Sequence, residues 1–208
     1  MTGAGSGAGL AALLLVDLQK AFCSEDGTAA RNGRDIATCQ EAALKCLDLV
    51  AAARKGNVPV IWTRMALHSD YSDGGLMIRE IIPMVKARGG LREGTPDSDL
   101  IPEAAIEARD HVVTKQRYSA FVGTNIEVVL RSLEIGTLIV GGVTTSMCVE
   151  STVRDAAQRD YRTIVVREAC ADWARERHEP ALAAMAFGFA RIVSLEEAAS
   201  AIREGKAP

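Results

Sequence analysis

Six short runs of Val, Ile and Leu, separated by segments of helical periodicity, constrain the fold of this chain more than any other feature. The runs are LAALLLV (10–16), VPVIWT (58–63), HVVT (111–114), TLIVGG (137–142), RTIVV (162–166) and ARIVS (190–194). They are continuously apolar rather than alternating, which is the pattern of strands buried on both faces. Segments 34–55, 124–133, 146–160, 178–187 and 194–203 between them carry apolar residues at helical spacing. Strand and helix in alternation predict an α/β fold with a parallel sheet between two layers of helices. Thr124 with Glu127, and Ser194 with Glu197, have the spacing of capping boxes, and Gly56, Gly136 and Gly188 stand where helices should stop.

A length of 208 residues suits one domain. We read residues 10–208 as that domain and residues 1–9, MTGAGSGAG, as a flexible leader. The leader and the apolar run after it lack the basic flank and the cleavage site of a secretory signal, and no apolar run approaches the ~20 residues of a membrane span. With 24 basic and 27 acidic residues there is no polybasic face, so nucleic acid and membrane are not expected partners. Five cysteines without a CxxC pair fit a reducing, cytoplasmic setting. Residues 64–102 break every periodicity with Pro83, Pro96, Pro102 and two Gly-Gly pairs. Connections of that length are usually functional or form subunit contacts.

In open parallel sheets ligands bind beyond the carboxyl ends of the strands. Three residues stand there. Asp17 closes LLLVD, Lys115 closes HVVTK, and Cys148 follows LIVGGVTTSM at the start of a helix. A buried Asp17 needs a partner, because an unpaired buried charge costs several kcal/mol. For Cys148, a helix start and a nearby lysine favour the thiolate, and an elbow between strand and helix presents backbone N–H groups beside the sulfur. Cys23, Cys39, Cys46 and Cys170 read as small core residues. GGVTTSMC matches neither GxGxxG nor a phosphate-binding GxxxxGK[ST] loop, and His68, His111 and His178 form no HxH or HExxH pair. No cofactor or metal is therefore expected, although His68 with Asp70 stays open as a weak exception.

LLLVDLQKAF, together with VVTKQRYSAF and GGVTTSMCVESTVRDA, resembles the isochorismatase-like cysteine hydrolases over residues 10 to 203. That resemblance implies a six-stranded parallel sheet of order 3-2-1-4-5-6 and a catalytic triad of Asp17, Lys115 and Cys148. It also implies a cis peptide at Val143–Thr144 that turns the Thr144 and Cys148 N–H groups toward one oxyanion. Members that open the vinyl ether of isochorismate lack the cysteine, whereas amide-cleaving members have it. The expectation is thus a cysteine-dependent amidohydrolase that releases ammonia from a small carboxamide, N-carbamoyl or ureido compound through a thioester. Nicotinamidases of the family carry an Asp and two His for a metal after the second strand, where this chain offers only His68. A nicotinamidase-type amidase and a non-catalytic scaffold of the same fold remain the alternatives. Candidate substrate contacts are Gln19, Phe22, Trp62, Tyr118, Phe121 and Trp173, with Arg117 and Arg175 ranked ahead of Arg64 and Arg177 for a substrate carboxylate. The family likeness also suggests a homodimer or homotetramer, for which Leu76, Met77, Ile78, Ile81 and Ile82 would supply apolar surface.

Overall fold

The first apolar run becomes strand β1, Leu10–Val16, and its side chains divide by the two-residue repeat of a strand. Leu13 and Leu15 enter one core while Ala12, Leu14 and Val16 enter the other. Both faces are buried, which is why the run does not alternate. A computed structural model describes residues 9–208, so the expected leader lies outside the described residues except for Gly9.

Two short helices, α1 (Lys20–Cys23) and α2 (Thr28–Arg31), lead into the long α3 (Ala37–Gly56), followed by β2 (Val60–Met65). The irregular segment then holds a π-helical turn at Met77–Ile81 and helix α4 (Met84–Ala87) before β3 (His111–Lys115). The second half runs α5 (Ile126–Ser132), β4 (Ile135–Val143), α6 (Glu150–Ala157), β5 (Arg162–Ala171), α7 (Arg175–Gly188), β6 (Arg191–Val193) and α8 (Leu195–Arg203). All neighbouring strands pair in parallel, in the order β3-β2-β1-β4-β5-β6. The strand order reverses between β1 and β4, and an open sheet has its binding crevice at that switch point.

Helix ends follow the sequence only in part. Ser194 caps α8 by accepting from Glu197 N. The cap of α5 shifts to Asn125, with the Thr124 hydroxyl accepting from Ile126 N instead. Gly136 lies inside β4, and the left-handed residue after α5 is Glu134, φ 54°. Asn57, φ 52°, ends α3 in the left-handed conformation, and Gly56 before it serves close packing, since a Cβ there would meet Ile202 O of α8 at 1.8 Å. Gly142 is needed at its position: its φ is +130°, and a Cβ would fall 2.1 Å from Val16 O on the adjoining strand.

Candidate active site

The carboxyl ends of β1, β3 and β4 bring Asp17, Lys115 and Cys148 together. Asp17 takes φ 53°, a left-handed conformation uncommon outside glycine, as the chain turns off β1. Its carboxylate is held there: Thr63 on β2 donates to Oδ1 at 2.6 Å, and Lys115 Nζ lies 2.7 Å from Oδ2. Lys115 Nζ also donates to Arg117 O at 3.0 Å and to Cys148 Sγ at 3.4 Å. Asp17 and Lys115 are both 0% exposed. A buried pair of this kind stands only if the remaining hydrogen-bonding capacity is used, and beside the Asp17 carboxylate the ammonium has two further acceptors, Arg117 O and Cys148 Sγ. Oδ2 is different. The ammonium sits off the direction of a well-formed hydrogen bond to it, which leaves that oxygen without an aligned donor.

Cys148 occupies a π-helical turn, Thr145–Val149, between β4 and α6. The peptide before the turn, Val143–Thr144, is cis. Met147 N and Val149 N donate to Thr144 O, and Ser146 N donates to Asp172 Oδ2 at 3.0 Å. Asp172 follows β5, is buried, and also accepts from Ser146 Oγ at 2.6 Å and from Arg177 Nε at 3.0 Å. Thr145 Oγ1 meets His178 Nδ1 of α7 at 2.8 Å. The elbow is thereby tied to β5 and α7 by side chains that touch no other part of the triad.

Opposing influences act on the Cys148 thiol. Burial pushes the Cys148 thiol well above the ordinary cysteine range; Lys115 pulls it down, and Asp17 pushes it up again. For Lys115, burial acts to lower the ammonium, but Asp17 and Cys148 beside it hold it above the usual lysine value. Burial and Asp17 thus favour the protonated thiol, and Lys115 opposes them.

A cavity of 410 Å³ opens over Cys148 and Thr144. Of the candidate substrate contacts, Phe22, Tyr118 and Trp173 line it. Five others do not. Gln19 is buried and fully used: it donates to Met65 O and Ser98 O and accepts from Met65 N, tying β1 to β2 and to the irregular segment. Trp62 points into the opposite core, where its Nε1 donates to Asp110 at 3.1 Å. Phe121 packs in the other core against Tyr161, ring centres 5.8 Å apart. Arg117 braces the irregular segment by donating to Asp73 O at 2.9 Å, and Arg175 is exposed at the first turn of α7. His68 Nδ1 and Asp70 Oδ1 pair with each other on the surface at 2.7 Å. Among the described residues no group of three or more His, Cys, Asp or Glu side chains is placed to hold a metal ion, and no helix is long and apolar enough to cross a membrane.

Sequence reasoning missed Thr63, Asp172, and the cavity residues Arg34 and Arg88. Asp172 had a signal, since it is a charge directly after a buried strand, as Asp17 is. Thr63 closes its run in the same way.

The isochorismatase domain model matches residues 11–197. This chain belongs to the isochorismatase family. It is 32% identical over 169 residues to ureidoacrylate amidohydrolase RutB of Methylorubrum extorquens, a match covering 76% of this chain and 68% of the relative. To nicotinamidase 3 of Arabidopsis thaliana it is 31% identical over 190 residues, covering 90% and 86%. A solved cysteine hydrolase from Pseudomonas syringae pv. phaseolicola superposes with a TM-score of 0.86 at 29% identity, over 94% of this chain and 93% of that one. The family membership makes this chain a hydrolase, and its sheet has the family's strand order.

Proposed function

We propose that the chain hydrolyses the C–N bond of a small carboxamide, N-carbamoyl or ureido compound, with Cys148 as nucleophile. The observation that carries this reading is the convergence of Lys115 Nζ on Asp17 and Cys148 Sγ, at 2.7 and 3.4 Å, beneath a cavity that Cys148 lines. The relatives named for ureidoacrylate and nicotinamide agree on the bond class while differing in substrate.

In the first half-reaction the Cys148 thiol attacks the amide carbonyl carbon as its proton passes to Asp17 Oδ2, the carboxylate oxygen without an aligned donor. The carbonyl oxygen gains the negative charge, and the N–H groups of Thr144 and Cys148 are its donors. Collapse breaks the C–N bond as Asp17 returns the proton to the leaving nitrogen, giving ammonia and a thioester. Asp17 then deprotonates a water, which attacks the thioester and regenerates the thiol with release of the acid. Lys115 keeps its proton throughout. Its charge pairs with the Asp17 carboxylate and opposes the rise that burial gives the thiol.

The nicotinamidase alternative draws support from the aromatic walls, Phe22, Tyr118 and Trp173, which suit a flat ring. Against its metal-assisted form, His68 and Asp70 stand without a second histidine. A scaffold without catalysis leaves a fully buried, mutually partnered carboxylate, ammonium and thiol unexplained. The deciding experiment measures ammonia release from ureidoacrylate, N-carbamoyl amino acids, maleamate, biuret and nicotinamide, with Cys148→Ala as control. Release that persists in the variant refutes the cysteine mechanism; nicotinamide as sole substrate selects the alternative.

A further inference from the structure

The cavity above Cys148 carries two positive charges that the chemistry on its floor leaves unused. Arg34, between α2 and α3, and Arg88, directly after α4, both line it, and no Asp or Glu does. Neither guanidinium forms an ion pair among the described residues; the nearby Arg31, by contrast, pairs with Asp97. One Arg88 nitrogen donates to Arg31 O, which anchors the side chain at the cavity wall. The Arg34 guanidinium stands 5.5 Å from the centre of the Trp173 ring, and Trp173 in turn tilts against Phe22, ring centres 6.1 Å apart. The remaining wall is largely apolar, with Leu91, Ile82 and Val85 among its members. Two unpaired guanidinium groups at an apolar cavity make a positive potential in which a carboxylate gains charge-assisted, bidentate bonds. At 410 Å³ the cavity falls within the range of about 300–1,000 Å³ that encloses drug-sized ligands.

We propose that Arg34 and Arg88 form a carboxylate-binding subsite, so that the substrate is an amide or ureide with a carboxylate remote from the scissile bond. Its body is apolar and of aromatic size, and it lies along Phe22 and Trp173. The proposal rests on the amide-hydrolase reading above and adds to it the end of the substrate that is not cleaved. Arg34 and Arg88 take the place that Arg117 and Arg175 were expected to fill.

The test uses acids and their methyl esters as matched pairs: N-carbamoylphenylalanine, N-carbamoylglycine and 2-phenylsuccinamic acid, each with its ester. Ammonia release is measured for wild type, Arg34→Gln, Arg88→Gln and the double variant, with a melting temperature for each. In wild type, kcat/KM for the acids should exceed that for the esters by about tenfold or more, and the phenyl-bearing acids should surpass N-carbamoylglycine. In the double variant the ratio of acid to ester should fall to about 1. Each single variant should lower it in part, which covers the case of a double variant that folds poorly. A wild-type ratio near 1, or a ratio that survives in folded variants, overturns the subsite and leaves the amide-hydrolase reading standing. Absence of ammonia from every compound overturns that reading and the subsite with it.

Discussion

The floor and the cap of the cavity are built on opposite principles. The floor consists of strand ends and one elbow: Asp17, Lys115 and Cys148 are buried, Asp17 is held by Thr63 and Lys115, and Lys115 reaches across to Cys148. The cap consists of the stretch after β1 and the irregular segment between β2 and β3, where Leu76 is 52% and Ile81 62% exposed. Hydrogen bonds at several separate points hold the cap down. Gln19 ties it to β1 and β2, and Asp97 accepts from Thr28 N, Thr28 Oγ1 and Leu91 N. On the proposed mechanism the difference separates chemistry from selection: a rigid sheet fixes the reacting groups, while the cap can vary in sequence without moving them.

The largest expected effect falls on the floor. Cys148→Ala should lower kcat by at least about 10⁴-fold with the melting temperature unchanged, since it removes the nucleophile and only a small side chain. Ammonia release and circular dichroism on one sample check it. Turnover within tenfold of wild type would mean that water attacks directly and the floor has no covalent role.

Lys115→Met comes next and acts on both stability and chemistry. It leaves the Asp17 carboxylate buried without its counter-charge, an arrangement that costs roughly 3–5 kcal/mol. The melting temperature should fall by about 10 °C or more, and kcat with it. The pH dependence follows in sign. Lys115 lowers the Cys148 thiol through both its charge and its hydrogen bond. Its removal should move the rise of iodoacetamide labelling at Cys148 to still higher pH. In wild type that rise already lies above the ordinary cysteine range, because burial favours the protonated thiol. Labelling at pH 7 as fast as that of a free thiolate would show that the resting sulfur is ionised. Cys148 should still label before the other four cysteines, for reasons of access, since it alone of the five lines the cavity over the triad.

The floor was also far more legible in the sequence than the cap. Asp17, Lys115 and Cys148 follow continuous apolar runs, and a charge or thiol placed there has few structural uses, so position alone singled them out. The sheet was equally plain, because strands buried on both faces need uninterrupted Val, Ile and Leu. The cap offers no such rule. Trp62 and Phe121 sit close in sequence to the site, yet successive strand residues face opposite sides, which sends Trp62 into the far core. Arg34 and Arg88 are 54 positions apart and reach one cavity only because the irregular segment folds back over α2. Nothing in periodicity records that return. The expectation of a thiolate rested on a helix start and a nearby lysine, which are visible in sequence, whereas the burial of the sulfur that opposes them is not.

A third effect tests how the elbow is held. Asp172→Ala removes the acceptor for Ser146 N and Oγ and for Arg177. Cys148 and its neighbouring N–H groups then lose a tether without losing a reacting atom. Misplacement by about 1 Å can cost on the order of 10²-fold, so kcat should fall by about 10-fold to 100-fold with KM changed little. Asp172→Asn, which keeps one acceptor oxygen, should recover part of the loss. Equal KM and kcat effects, or none, would assign Asp172 to stability alone.

The smallest effect belongs to the cap. Ile81→Ser replaces an exposed apolar side chain that also lines the cavity, and surface changes of this kind are usually worth within about 0.5 kcal/mol of stability. If the cap only selects substrate, KM should rise a few-fold while kcat and the Cys148 labelling rate stay at wild-type values. The same substitution bears on assembly. Leu76, Ile81 and Met84 are exposed together on this segment, whereas Met77 and Ile78, which were expected to add to that surface, are buried in the core beneath. A homo-oligomer that covers the three exposed side chains would lose apolar contact area in both copies at once, so light scattering should show dissociation at low micromolar concentration for Ile81→Ser before it does for wild type. A wild-type protein that is already a single chain at that concentration removes the assembly role. An Ile81→Ser variant in which kcat falls while KM holds would break the comparison itself, because the cap would then be reaching the reacting groups that the floor was argued to hold alone.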